Sequence, residues 1–172
     1  MKYSDLKKVV APKILVQAIK LFGTKEIVGK EHNPVILSWA DELGLKKTYT
    51  NDEIPWCGLF VAICCKRAGK AIVNSPLWAR DWLNFGTKQT IAMLGDVLVF
   101  SRNGGGHVGF YVGEDKKCYH VLGGNQSDQV CVTRINKDRC IGIRRTEWTT
   151  AQPIEVAQVF LSENGIISTN EA

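Results

Sequence analysis

Near residue 95 the apolar residues of this chain change period, and that switch constrains the fold more than any other feature. Before it, they recur at helical spacing. Ile14, Leu15, Ala18, Ile19 and Phe22 share one side of residues 11–22, and Gly23 stops the run. Asn33-Pro34 reads as an N-cap and first helical residue, followed by Ile36, Trp39, Ala40 and Leu43 on one face. From Cys57 the same spacing leads to Phe60, Val61, Cys64 and Ala68. Beyond the switch the period is two. Val97–Phe100 is a short buried strand, and HVGFYVG (107–113) alternates strictly. Val108, Phe110 and Val112 point to one side, and His107, Gly109 and Tyr111 to the other. CYHVLGG (118–124), QVCVTRI (129–135) and IGIRR (141–145) follow at hairpin spacing. Helices first and antiparallel strands afterwards indicate an α+β domain, its helices packed on one face of the sheet.

The 172 residues fit one domain, with no linker or repeat to mark a second. Residues 146–172 carry one more amphipathic stretch, PIEVAQVFLSENG, read as a C-terminal helical extension. A balance of 22 basic against 17 acidic residues is too even for a nucleic-acid footprint, so no nucleic-acid partner is expected. The opening residues scatter charges where a signal peptide needs an apolar run, and no stretch is long enough to span a bilayer. The expectation is synthesis in the cytoplasm without stable membrane association, any action outside depending on release by other means. Six cysteines in such a chain are read as reduced, with the five other than Cys57 mostly in the core. No C-x-x-C pair suggests zinc, and neither a metal nor a cofactor is expected.

Cys57 and His107 are the residues that suggest chemistry. Pro55 suits the first helical position, which puts Cys57 in the first turn of its helix. Free N–H groups and the helix dipole there favour the nucleophilic thiolate and are placed to hold an oxyanion. The plainer reading makes Cys57 a small apolar residue at the end of a core stripe. His107 opens a strand after three glycines, and Gly109 leaves room beside it for a substrate and a partner for the ring. Together they form a candidate nucleophile and base. His32 lies in a polar loop and is read as surface. Trp56 is read either as a wall of the cleft or as packing under the helix start, and Asp52 as a site for a substrate amine or a turn residue. The other tryptophans (39, 78, 82 and 148) are assigned to packing.

Several segments, taken in order, resemble the papain-like cysteine peptidoglycan hydrolases of the NlpC and CHAP type, in their compact phage and prophage form. They are Asn33-Pro34-Val35-Ile36 with Trp39, Asp52 with Pro55-Trp56-Cys57, and Gly95-Asp96-Val97-Leu98-Val99-Phe100. Gly106-His107-Val108-Gly109-Phe110 and Leu122-Gly123-Gly124-Asn125-Gln126 complete the set, which covers about residues 25–145. The resemblance implies a papain-like fold, Cys57 as nucleophile, His107 as base and a polar third residue on the next strand. It implies cleavage of an amide in the peptide part of bacterial peptidoglycan through a thioester, by a monomer without a metal. Asn51-Asp52-Glu53 is too sparse for the calcium site of some relatives. The expected setting is a lysin released to the wall through a holin. The alternatives are an amidase effector paired with an immunity protein, and an intracellular cysteine protease or deamidase.

Strand register selects the third residue. If Asp115–Lys117 form a three-residue loop, Glu114 opposes Cys118 and His107 faces Asn125. With a four-residue loop, Gly113 opposes Cys118, and His120 shares a face with His107 but lies about 13 Å along the strand. Either way His120 is out of reach, so Asn125 is the expected residue to orient the imidazole.

Overall fold

The computed structural model describes residues 10–29, 31–148, 151–163, 166–169 and 171; the charged opening, residues 1–9, lies outside the described residues. Three helices occupy the stretches with helical spacing: α1 (Lys13–Lys20), α2 (Pro34–Glu42) and α3 (Cys57–Arg67). Asn33 caps α2 by accepting a hydrogen bond from the Val35 N–H, and Pro34 sits in its first turn. The start of α3 differs from expectation. Trp56 is its N-cap and Cys57 its first residue, so Pro55 ends the extended approach, which its fixed φ serves equally well. Every residue from Cys57 to Cys65 is buried. The stretch is apolar on all sides because α3 is the central helix, packed with α1 and α2 and against the sheet.

Seven strands form one sheet. They are β1 (Thr87–Gln89), β2 (Val97–Arg102), β3 (Gly105–Glu114), β4 (Cys118–Gly123), β5 (Cys131–Asn136), β6 (Cys140–Arg145) and β7 (Ile167–Ser168). Their spatial order is β1-β6-β2-β3-β4-β5-β7, with every pair antiparallel except β5 and β7. The alternation in β3 divides the core. Val108, Phe110 and Val112 pack with Trp39, Trp56 and Phe60, and Tyr111 joins Leu98, Phe100, Val121 and Ile135 in a second cluster. Edge-to-face contacts from Trp39 to Trp56 (5.9 Å) and from Phe60 to Phe110 (5.9 Å) tie α2, α3 and β3 together. All six cysteines carry free thiols.

Two expectations fail. In the β3–β4 hairpin Glu114 opposes Tyr119, not Cys118. Asp115 closes the turn, its carboxylate accepting from the N–H groups of Lys117 and Cys118 at 2.9 Å. The register then shifts by one residue between Tyr111 and Gly113, so that Tyr111 opposes Val121 and Phe110 opposes Leu122. A bulge thus restores the register that points His107 toward residue 125.

The second failure is the C-terminal helical extension. Residues 153–161 run without a helix; Val156 is buried and Val159 half-buried, while Ile154 and Phe160 are 89% and 73% exposed, so the apolar residues of the amphipathic stretch do not share one helical face. Its residues bond to β3 instead, on the edge that β2 does not reach. Glu114 donates to the Val159 carbonyl, and Leu161 donates back to the Glu114 carbonyl, both at 2.8 Å. Open ladder groups outweigh helix propensity there. Thr149, Thr150, Asn164, Gly165, Asn170 and Ala172 lie outside the described residues.

Candidate active site

The place of Cys57 follows from where β4 ends. Tyr111 bonds through its N–H and C=O to Asp96 and Gly95 at the start of β2. Alternation along β3 then turns the Val108 N–H to the opposite, β4 side. There β4 ends at Gly123, and the main chain of β3 is left open. The Cys57 sulfur lies close enough to the Val108 N–H, and to the Gly58 N–H of its own helix, for both to favour its thiolate. The first bond of α3 runs from the Phe60 N–H to the Trp56 carbonyl, so the N–H groups ahead of it have no acceptor within the helix.

Gly58 is needed at the helix start, since a Cβ there would lie 2.1 Å from the Pro76 carbonyl oxygen. That oxygen also accepts from the Trp82 indole at 3.0 Å, which holds residues 76–78 against α3. A 3-10 turn, Ala79–Asn84, follows. Between these elements and the β2–β3 turn, a groove of about 650 Å³ opens beside Cys57.

His107 is 1% exposed. Its hydrogen bond goes from Nε2 to Gln126 Oε1 at 3.0 Å. The other end of the Gln126 amide donates to the carbonyls of Cys131 (2.6 Å) and Val121 (3.2 Å). Two carbonyl acceptors define which end is nitrogen, so Oε1 must accept and Nε2 must carry the proton. The lone pair of the imidazole is therefore on Nδ1.

Asn125 does not fill the role expected of it. It adopts φ 55°, in the left-handed region, as do Ser127 and Asp128, and the alternation of β4 stops before it. Gln126, one residue later and one methylene longer, reaches the ring instead. Gly123 makes the space: a Cβ there would lie 2.7 Å from Gln126 Oε1 and 3.1 Å from His107 Nε2. The loop is held from several sides. Gln126 donates to Gln129, Val130 donates to Thr24, Glu26 donates to Asp128, and Ser127 donates to Glu171. Three left-handed residues without glycine persist only under such restraint.

Electrostatically the pair is neutral at rest. Burial pushes the Cys57 thiol above its ordinary value, more than the Val108 and Gly58 N–H groups and the Arg102 charge pull it down. The helix start therefore favours the thiolate less than burial disfavours it. Burial likewise lowers His107 to about 4, against the opposing pull of Glu171 and of Gln126. Glu171 is buried, paired by both carboxylate oxygens with Arg139 at 2.7–2.8 Å. Sequence reasoning missed Gln126, Arg102 and Glu171. Only Gln126 had a signal, its place beside the two glycines of the Leu122–Gln126 segment.

Neither residue read as substrate-binding lies in the groove. Trp56 is fully buried, bonds through its indole to Glu26, and lies against Gly124. Asp52 is fully buried and accepts from the N–H groups of Asn33 (2.8 Å) and Ile27 (3.3 Å), with His32 Nδ1 at 2.8 Å. Burial raises the Asp52 carboxyl, but these bonds outweigh it and hold the group below its usual range. Both residues serve as joints between loops, and His32 is half-buried rather than fully at the surface. His120 stands apart from His107, at 2.8 Å from Asp115, to which Arg134 also donates at 2.9 Å. Among the tryptophans assigned to packing, Trp39 and Trp82 are buried, and Trp78 is 75% exposed in the groove.

Among the described residues no helix is long and apolar enough to cross a membrane, and no cluster of His, Cys, Asp and Glu is arranged to hold a metal. Comparison with known proteins finds no matching family model and no matching curated sequence.

Proposed function

We propose that this chain is a cysteine hydrolase that opens an amide in the peptide part of bacterial peptidoglycan, acting as a monomer at the wall after release from the cytoplasm. The observation that carries the reading is the fixed tautomer of His107. Gln126 commits Nε2 as a donor, which leaves Nδ1 as a base in the residue next to the main chain that holds the Cys57 sulfur. His120 is likewise held through Nε2, by Asp115, and what sets His107 apart is its place beside Val108, whose N–H acts on the Cys57 sulfur.

The neutral pair sets the order of events. His107 takes the thiol proton as sulfur attacks the carbonyl carbon, rather than starting from a standing ion pair. The C–S bond forms, and the carbonyl electron pair moves to oxygen, which the N–H groups at the start of α3, with no acceptor within the helix, are placed to receive. Collapse breaks the C–N bond, and the imidazolium returns its proton to the departing amine. Water, deprotonated by the same ring, then opens the thioester and regenerates the thiol. Glu171 supports the protonated ring in between, since its charge raises the affinity of His107 for a proton.

The test is clearing of purified sacculi by wild type and by Cys57→Ala, with circular dichroism as the control for folding. Loss of clearing with an intact fold is expected, together with inactivation by iodoacetamide and indifference to chelators. Clearing at the wild-type rate by Cys57→Ala would remove the nucleophile. Activity on casein without activity on sacculi would favour the intracellular protease.

A further inference from the structure

The reaction uses the charge of Glu171, and the structure shows how a residue so far along the chain is kept beside the ring. In the sheet order, β2, β3 and β4 stand between β6 and β5, yet the 3-10 turn Lys137–Arg139 is all that joins β5 to β6. Neighbouring strands lie about 4.8 Å apart, so a flat sheet would separate the two by about 19 Å. From Asn136 to Cys140 the chain reaches about 14 Å at most. The sheet is therefore curled, and the cluster of Leu98, Phe100, Tyr111, Val121 and Ile135 fills the inside of the curl. His107 shares a side of β3 with Tyr111 and faces the same inside, its ring 6.5 Å from that of Phe100.

The segment that carries β7 crosses the curl on the His107 side. Ile167 and Ser168 pair with Arg134 and Ile135 of β5. Further along, the Glu171 carbonyl accepts from the Ser127 N–H at 3.2 Å, one residue past Gln126. The Glu171 carboxylate is fully buried and takes both prongs of Arg139 at 2.7–2.8 Å. Arg139 also donates to the carbonyls of Ser101 (3.1 Å) and Ser168 (3.2 Å). Ser101 opposes Gly106, the residue before His107. One arginine thus ties the β7 segment to the strand beside the imidazole, and the same segment holds the loop that carries Gln126.

We infer that Arg139 is a positioning residue for His107: its pairing with Glu171 clamps the β7 segment across the sheet, and the segment holds Gln126 against the ring. The inference rests on the hydrolase reading for its effect on turnover, and on the geometry alone for its effect on the imidazole. Burial most of all opposes a proton on His107, as do Arg102 and Arg139, whereas Glu171 and Gln126 favour one. As a bare charge Arg139 therefore hinders the base, and losing it would speed proton uptake. As a clamp it assists the base, and losing it would slow proton uptake. The two roles differ in sign.

The experiment follows alkylation of Cys57 by iodoacetamide through mass spectrometry of the Cys57 peptide. Sulfur displaces iodide in that step as His107 takes the thiol proton. It needs no substrate, and His107→Ala gives the rate without the base. Arg139→Lys keeps the charge and loses the two-pronged pair. The double variant Arg139→Gln, Glu171→Gln leaves no charge of the pair buried alone, which protects its fold. Each should slow alkylation about tenfold or more at neutral pH. Each should also quicken hydrogen exchange at the Ser127 N–H about tenfold or more. Glu171→Gln alone takes away a charge that favours the protonated ring, so the acid limb of its alkylation profile should move to lower pH.

Alkylation at or above the wild-type rate in Arg139→Lys or in the double variant would overturn the inference. So would an acid limb of Glu171→Gln that stays at the wild-type pH, which would leave the β7 segment a purely structural tie. A wild type that leaves sacculi intact, while alkylation and exchange in the variants respond as expected, would refute the hydrolase reading and uphold the clamp. Sacculus clearing at the wild-type rate by the double variant would do the reverse.

Discussion

Replacing Gln126 by alanine tests the site at its most specific joint. The side chain makes three hydrogen bonds to groups in the interior: His107 Nε2 at 3.0 Å, Cys131 O at 2.6 Å and Val121 O at 3.2 Å. Stranding a buried polar group costs about 1–3 kcal/mol, and water entering the space would recover part of it, so a stability loss of about 2–4 kcal/mol is expected. The effect on catalysis is separate. The hydrogen bond to His107 contributes about 0.5–1.5 kcal/mol, and its loss also releases the ring to its other tautomer and to rotation. At about 1.4 kcal/mol per factor of ten, kcat/KM should fall about 10- to 100-fold. Gly123→Ala separates the two effects. Its new Cβ would stand 2.7 Å from Gln126 Oε1 and 3.1 Å from His107 Nε2, driving the amide off the ring while the remaining core is kept. Its rate should fall like that of Gln126→Ala with a smaller change in Tm. Initial rates of sacculus clearing, thermal melts and long-range nitrogen NMR of the imidazole together give the answer, the NMR showing the Nε2–H tautomer in wild type alone. If Gln126→Ala retains more than half of the wild-type rate and the same tautomer, the reasoning is refuted.

Burial lowers His107 from 6.5 to about 4, so between those values the unfolded chain binds a proton that the native state refuses. Stability is therefore full above pH 6.5 and should fall by up to about 3 kcal/mol as the pH drops to 4, measured by urea melts, and the base should stay competent down to about pH 5; a loss of kcat/KM centred on pH 6.5 would contradict this. Gly58→Ala pushes a Cβ to 2.1 Å from the Pro76 carbonyl and should cost about 1–3 kcal/mol together with activity, whereas an unchanged Tm would mean the groove wall is not held there. Asp52→Asn weakens a buried acceptor of two N–H groups and should cost about 1–3 kcal/mol with KM unchanged; a raised KM at an intact Tm would return Asp52 to the substrate.

The helices and the inner strands were legible because burial enforces their period. Val108, Phe110 and Val112 had to share a side, and they do, against α3. What periodicity cannot show is how many sides of an element are covered. The apolar spacing after Cys57 marks one face of α3, while the run from Cys57 to Cys65 is buried throughout. Nor can it distinguish an amphipathic helix from a segment that answers an open strand edge, which is how residues 153–161 were misread. The short edge strands β1 and β7 carry two or three residues each, too few for any pattern to register.

The places of Cys57 and His107 in their elements were legible and the residue that bonds to the imidazole was not, and the difference is one of scale. Cys57 and His107 lie within regular elements, where position in a helix or strand fixes direction. The third residue lies beyond the end of β4, in a loop with Asn125 at φ 55° and Ser127 and Asp128 in the same region. Register arithmetic assumes that alternation continues, and here it ends at Gly123. The bulge near Val112 even supplied the register that favours Asn125, so the error was not in the pairing but in extending it past the strand. Asn125 and Gln126 therefore respond differently to substitution. A left-handed position accepts glycine at little cost and penalises alanine by about 1 kcal/mol through the backbone, whatever the side chain does. Asn125→Gly should thus leave turnover near the wild-type rate, and Asn125→Ala should lose stability more than rate. A strong loss of turnover in Asn125→Gly, at an unchanged melting temperature, would return the orienting role to Asn125.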